Sequence, residues 1–108
     1  MGAALPLPEF DAEGYLVEPQ DWTVEIAEEF ARQENIQLTE DHWDVIHFIR
    51  AQYDENQIIP DARHAIKHLS VRLGTAARKH LFEIFPYGYV KQACRIAGMK
   101  RPRAWSTG

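Results

Sequence analysis

Short amphipathic segments, separated by residues that stop helices, are the feature that most limits what this sequence can fold into. Trp22, Ile26 and Phe30 recur at four-residue spacing, which places them on one face of a helix. Thr39 stands before two acidic residues, as is typical of a helix start, and Gly74 is a typical stop. The pattern predicts five helices, over 23–35, 39–56, 60–73, 75–85 and 89–97.

The two ends of the chain have a different character. Phe10 and the run 15–17 flank the segment 11–14, whose final glycine supplies the positive φ of a hairpin turn. Residues 1–8 carry proline and glycine, and residues 99–108 have no periodicity, so we expect a loose N-terminus and a flexible C-terminal arm. The sequence therefore predicts one mainly α domain over 1–108, a five-helix orthogonal bundle with a short N-terminal β-hairpin.

Cysteine usage and hydropathy bear on the compartment. Cys94 is the only cysteine, so an internal disulfide framework is excluded, which is typical of a reducing cytoplasm. No apolar run approaches the ~18 residues that span a bilayer. The first residues also lack the basic and then apolar pattern of a secretory signal. We therefore expect a cytoplasmic protein without a membrane partner.

Charge is divided unevenly along the chain. Residues 1–60 hold fourteen Asp and Glu against two Arg, a net charge of −12, whereas residues 61–108 hold ten Lys and Arg against two acids, a net charge of +8. A basic second half of this kind attracts an acidic protein surface, a nucleic acid or the acidic face of another copy, although it is also compatible with an ordinary solvated surface. From 91 onward every charged side chain is basic: Lys91, Arg95, Lys100, Arg101 and Arg103.

Cys94 is the candidate for redox or sulfur chemistry. Lys91 lies on the same helical face and Arg95 is adjacent, and both favour the thiolate. The last turn of a helix opposes an anion, because the negative end of the dipole lies there. A small buried hydrophobe is the alternative interpretation. The sequence alone leaves the two open.

Other chemistries find little support. His64 and His68 have the four-residue spacing of a metal chelate, but no cysteine or carboxylate pattern completes the shell, and Arg63 and Lys67 repel a cation. There is no phosphate-binding glycine loop and no nucleophile elbow. We therefore expect neither a cofactor, nor a metal site, nor an enzyme that acts alone.

Several stretches resemble the DsrC/TusE sulfur-relay family. They are KQACRIAGM at 91–99, LFEIFP at 81–86, NIQLTEDHW at 35–43 and DAEGYL at 11–16, together with Trp22, Pro60 and Arg63. The resemblance covers about 10–102. It implies a helical domain whose arm carries sulfur on a penultimate cysteine and enters a partner protein. It also implies that Cys94 matches the upstream cysteine of the members that serve sulfite reductase.

The sequence departs from the family at the carrier position. The family's terminal cysteine falls at Trp105, and Lys100 replaces the usual proline. We therefore predict a regulatory or adaptor protein that binds sulfite reductase-like or sulfurtransferase partners without carrying sulfur. The predicted partner-binding residues are Lys91, Arg95, Lys100, Arg101, Arg103 and Trp105. Two alternatives stay open: sulfur transfer through Cys94 alone, and a DNA-binding regulator that uses the basic half, which the pI of about 5.7 disfavours.

Overall fold

Threonine caps set where the first two helices begin. The computed structural model describes residues 9–100. The Thr23 hydroxyl accepts a hydrogen bond from the Ile26 N–H at 3.2 Å, and helix α1 follows as Val24–Gln33. The Thr39 N–H donates to Nδ1 of His42 at 3.0 Å, and helix α2 follows as Glu40–Asn56. Both helices lie where the sequence predicts them, because each cap satisfies a backbone group that a helix end leaves free.

The next two helices begin later than the sequence pattern indicates. Asp61 caps helix α3, Ala62–Leu73, by accepting from the His64 N–H at 3.2 Å, so Pro60 lies outside the helix. A 3-10 turn, Gly74–Ala76, then joins α3 to helix α4, Ala77–Ile84. The predicted start of the fourth helix, at 75, therefore lies within this turn, and α4 begins two residues later.

The prediction of a fifth α-helix is wrong. Residues 9–100 contain four α-helices, and the segment Tyr89–Cys94 forms a π-helix. The wider turn buries four of its six side chains, including Tyr89 and Gln92. The Tyr89 hydroxyl donates to the Pro60 carbonyl at 2.6 Å, so tertiary contacts favour the π form over the α form. Gly98 follows in the left-handed conformation, at φ 78, which is typical of a residue that ends a helix.

The predicted N-terminal β-hairpin is also wrong. The described residues contain no β-strand, and a single bridge joins Phe10 to Leu16. Oδ1 of Asp11 accepts from the N–H groups of Glu13 and Tyr15, each at 2.9 Å. A side chain that takes these donors holds a compact turn, which the alternating pattern of apolar residues does not reveal.

The buried core extends further along the chain than the helical pattern indicates. Met99, predicted as the first residue of the flexible C-terminal arm, is fully buried, and Lys100 is the first exposed residue after it. The rest of the arm, 101–108, and the predicted loose N-terminus, 1–8, lie outside the described residues. The largest fully buried side chains are those of Leu16, Val45, Ile46, Ile49, Leu69, Leu81, Phe85, Gln92, Cys94, Ile96 and Met99.

Candidate functional site

Cys94 lies inside the core. Its exposed fraction is 0%, and burial raises the pKa of the thiol to about 12, although the neighbouring Tyr89 hydroxyl opposes this shift. The thiol therefore holds its proton at neutral pH, and it is the thiolate that attacks sulfur or binds metals. Of the two interpretations that the sequence leaves open, the structure favours a small buried hydrophobe.

Arg95 binds within its own chain. Nε donates to the Gly14 carbonyl at 3.0 Å, and Nη2 donates to Oε1 of Gln33 at 2.8 Å. Nη1 donates to Oε2 of Glu34 at 3.2 Å, and the guanidinium lies 4.3 Å above the ring centre of Phe30. The side chain is only 16% exposed. Arg95 therefore joins the Asp11 turn to the end of α1.

Glu34 is the second centre of the hydrogen-bond network around Arg95, and it is not among the site residues predicted from the sequence. One carboxylate oxygen accepts from Arg95, and the other accepts from Nε2 of Gln92 at 2.8 Å. The side-chain oxygen Oε1 of Gln92 in turn accepts from the Tyr87 N–H at 3.0 Å. No spacing rule connects Glu34 with Gln92, since 58 residues separate them. The residues around Gln92 give no signal either, because Lys91 and Arg95 make this segment partly polar.

Trp22 and Arg50 fix the chain just before the arm. The Trp22 indole N–H donates to the Ile96 carbonyl at 2.8 Å, and Nη1 of Arg50 donates to the Ala97 carbonyl at 2.7 Å. Arg50 also lies 4.3 Å above the ring centre of Trp22. A methyl group at Gly98 would approach Cδ1 of Trp22 to 2.4 Å. The backbone of 96–98 is therefore held beside the start of α1.

The predicted partner-binding residues separate into three groups. Arg95 is held internally, as described above. Lys91 and Lys100 are exposed and have no ion-pair partner among residues 9–100. The other members, Arg101, Arg103 and Trp105, lie outside the described residues.

The uneven charge of the sequence is partly cancelled by pairing in the fold. Arg72 lies 3.0 Å from the Asp41 carboxylate and 3.1 Å from that of Asp44. His80 contacts Asp41 at 2.6 Å and His68 contacts Asp44 at 2.9 Å. The hydrogen bond from His80 lowers the pKa of Asp41, with burial opposing it and Arg72 adding to it. The basic surface is therefore smaller than the sequence indicates.

The described residues offer neither a metal-binding cluster nor a membrane-spanning helix. Within residues 9–100 no group of three His, Cys, Asp or Glu side chains is arranged to hold a metal ion. His64 contacts Asp61 and His68 contacts Asp44, so the two histidines of the proposed chelate are each engaged with a different carboxylate. In the same part of the chain no helix combines the length and the apolar character that crossing a membrane requires.

An apolar cleft lies along α1. We call it the α1 cleft; its volume is about 560 Å³. Its lining is mostly apolar and also includes charged and polar residues. The lining residues are Phe10, Gly14, Glu25, Ile26, Glu29, Phe30, Gln33 and Arg95.

Comparison with known proteins places this architecture in a family. Residues 7–104 match the family described as DsrC like protein. The sulfurtransferase TusE of Buchnera aphidicola subsp. Acyrthosiphon pisum is 44% identical over 96 residues, which is 87% of this chain and 84% of the relative. TusE of Sodalis glossinidius is 44% identical over 94 residues, or 85% of this chain and 87% of that protein.

Solved structures give the same result. The oxidised gamma-subunit of the dissimilatory sulfite reductase (DsrC) from Archaeoglobus fulgidus superposes with a TM-score of 0.79 at 30% identity, covering 90% of each chain. The NMR structure of Allochromatium vinosum DsrC gives 0.78 at 44% identity, covering 88% of this chain and 87% of that one. The chain therefore belongs to the DsrC-like family, which includes DsrC and the sulfurtransferase TusE.

Proposed function

We propose that this protein binds partners of sulfur metabolism as a regulator or adaptor and does not itself carry sulfur. The observation that carries the proposal is the burial of Cys94, the only thiol in these 108 residues, at a pKa of about 12. The family resemblance puts the carrier cysteine at Trp105, whose indole cannot form a persulfide. The chain therefore keeps the family's fold without an accessible thiol for the relay.

The proposed partners are proteins of the kinds that the relatives' names indicate, a sulfite reductase or a sulfurtransferase of the relay. Lys91 and Lys100 are cations without a counter-ion among the described residues, and Arg101 and Arg103 add two more in the sequence. Aromatic and arginine side chains dominate binding hot spots, which gives Trp105 the role of an anchor. An acidic surface on the partner is the expected complement.

Transfer through Cys94 alone is the competing function. In that reaction the Cys94 thiolate attacks the outer sulfur of a donor persulfide, a new S–S bond forms at Cys94, and the donor leaves as a thiolate. Burial opposes the formation of the Cys94 thiolate, because a charged group is unfavourable in the core. The DNA-binding alternative has no supporting observation, since Arg63, Arg72 and Arg95 of the basic half are paired with acidic side chains.

A competition experiment tests the proposal. The chain is titrated into a transfer reaction between a persulfide-loaded TusE relative and the partner that accepts its sulfur. We expect the chain to slow the transfer while its intact mass stays unchanged. Reversing both exposed charges, Lys91→Glu with Lys100→Glu, should relieve the inhibition. Lys67→Glu, an exposed lysine on α3, is the matched control and should inhibit as the parent does.

Two results would overturn the proposal. A stoichiometric gain of one sulfur atom on Cys94 in the native protein would make it a carrier. Transfer that proceeds at the same rate at every concentration of the chain would remove the partner-binding role. Cys94→Ala should compete as well as the parent protein, because the thiol takes no part in binding.

A further inference from the structure

The outer face of helix α4 carries an aromatic ring beside two cations. The helix buries Ala77 and Leu81, so its opposite face is exposed and is expected to be polar. Phe82 lies on that exposed face and is 42% exposed. Arg78 and Lys79 precede it by four and three residues, which makes them its neighbours on the helix surface. We call these three residues the α4 face.

The two cations of the α4 face are not neutralised within the described fold. Arg63, Arg72 and Arg95 each form an ion pair with a carboxylate. Arg78 and Lys79, by contrast, have no ion-pair or hydrogen-bond partner among residues 9–100. A single exposed apolar side chain is ordinary on a protein surface. An aromatic ring beside two cations without counter-ions is a more specific feature, because it fits an apolar recess that has carboxylates beside it.

The α1 cleft has the complementary character. Phe10, Ile26 and Phe30 give it an apolar lining, and Phe10 is 44% exposed although its ring is large. Glu25 also lines the cleft, and Asp21 lies four residues before it, just ahead of α1. Both carboxylates are exposed, and neither has an ion-pair or hydrogen-bond partner within the described part of the chain. The cleft therefore combines an apolar recess with two free carboxylates.

A single copy of the chain leaves both surfaces open. Phe82 is not among the residues that line the cleft, and Phe82 and Phe10 both remain exposed, so neither ring covers the other. The two surfaces also come from oppositely charged halves of the sequence, since residues 1–60 carry a net charge of −12 and residues 61–108 carry +8. A second copy therefore offers each surface the complement that its own chain does not supply.

We propose that copies of this chain associate head to tail, with the α4 face of one copy in the α1 cleft of the next. Phe82 packs against the apolar lining of the cleft, and Arg78 and Lys79 pair with Glu25 and Asp21. The two surfaces differ, so a pair of copies still has one free α4 face and one free cleft, and association continues beyond a dimer. Exposed ion pairs contribute little, so the contact is weak and reversible. The inference goes beyond the proposed function and uses none of its partner-binding residues.

Sedimentation velocity of the full chain at rising concentration tests the contact. We expect the mean sedimentation coefficient to increase with concentration at low salt. Raising the ionic strength from roughly 0.01 M to 1 M should raise the dissociation constant about fivefold to tenfold, because exposed charges are screened. Phe82→Ala should raise it at least about tenfold, because an aromatic anchor contributes most of such a contact. Val71→Ala is the control and should associate as the parent does, since Val71 is 88% exposed on α3 and belongs to neither surface.

Mixing two variants tests whether the contact is head to tail. One variant loses the α4 face through Arg78→Ala with Phe82→Ala, and the other loses the cleft carboxylates through Asp21→Lys with Glu25→Lys. Each should sediment as a monomer on its own. An equimolar mixture should form dimers and nothing larger, because one intact cleft then meets one intact α4 face. Recovery of the dimer also shows that both variants are folded.

Two further variants separate the contact from effects of net charge and of folding. Asp54→Lys with Glu55→Lys changes the net charge as the cleft variant does, at exposed positions near the end of α2, and should associate as the parent does. Glu25→Gln introduces no repulsive cation and keeps the test valid if the double lysine variant does not fold. It should raise the dissociation constant about twofold to fivefold.

Three results would overturn the inference. The chain could sediment as a monomer at every concentration at low salt. The mixture of folded variants could stay monomeric, or either variant alone could associate as the parent does. In NMR spectra of the monomer, nuclear Overhauser contacts from residues 1–8 or 101–108 to Ile26 would identify a segment of the same chain as the occupant of the cleft. The competition experiment is unaffected by any of these outcomes, so it tests the proposed function separately.

Discussion

Replacing Gly98 by alanine probes how firmly the base of the arm is held. Gly98 has φ 78, and a left-handed backbone costs a residue with a Cβ about 1–2 kcal/mol. The new methyl group would also lie 2.4 Å from Cδ1 and 2.8 Å from Cγ of Trp22, so the indole must move.

The displaced indole has two interactions to lose. Its N–H donates to the Ile96 carbonyl, a bond that contributes about 1 kcal/mol. Its ring lies under Arg50, a contact that contributes about 0.5–1 kcal/mol. Together with the backbone cost, the free energy of unfolding should fall by about 2.5–4 kcal/mol for Gly98→Ala.

Gly14→Ala is the matched control. Gly14 has φ 85, and a methyl group there would come no closer than 3.5 Å to another atom, which is ordinary contact. We expect this variant to lose only the backbone term of about 1–2 kcal/mol. Urea unfolding followed by circular dichroism measures both variants. The reasoning would be refuted if the free energy of unfolding fell equally in both variants, within about 0.5 kcal/mol. Displacement of the Trp22 indole would then cost no free energy.

Three further predictions concern the core and its charges. In Trp105→Cys, oxidation should give no intramolecular disulfide with the buried Cys94, although the family's two-cysteine pattern would predict one; non-reducing peptide mapping decides. Burial lowers the pKa of His42 below its ordinary 6.5, so folding favours the neutral ring. The free energy of unfolding should therefore be greatest above pH 6.5 and fall as the pH drops towards the lower folded pKa, and urea midpoints at several pH values would show this; a flat profile contradicts it. Arg95→Met should cost about 2–3 kcal/mol, because it leaves a half-buried carboxylate without its cation; thermal unfolding beside Lys91→Met, expected to be neutral, measures it.

Local signals in the sequence were sufficient for the first half of the fold. Thr23 and Thr39 lie immediately before α1 and α2, because a capping side chain acts on backbone groups within three residues of itself. The conformation of the segment 89–94, by contrast, is not determined by neighbouring residues. Tyr89 reaches Pro60 and Gln92 reaches Glu34, and these distant contacts select a π-helix where periodicity indicates an α-helix.

The candidate site illustrates the same limit. Cys94 and Arg95 are adjacent in the sequence, which predicts redox or sulfur chemistry for the first and partner binding for the second. In the fold one side chain enters the core and the other forms bonds with residues more than sixty positions away. Burial depends on which distant elements cover a position, so neither the burial of the thiol nor the internal contacts of the arginine follow from nearby residues. The family resemblance, by contrast, is read directly from short motifs and is confirmed.

The pairing of the acidic half with the basic half has a consequence for synthesis on the ribosome. Asp44 meets His68 24 residues later, and Glu34 meets Arg95 61 residues later. The ribosome adds roughly 5–20 residues per second, so Arg95 is synthesised about 3–12 s after Glu34. Until then the emerging chain is a self-repelling polyanion, with a net charge of −12 over its first sixty residues. Ribosome-bound chains that end near residue 60 should therefore stay protease-sensitive, and the domain should become resistant only when the last helical turn has left the exit tunnel.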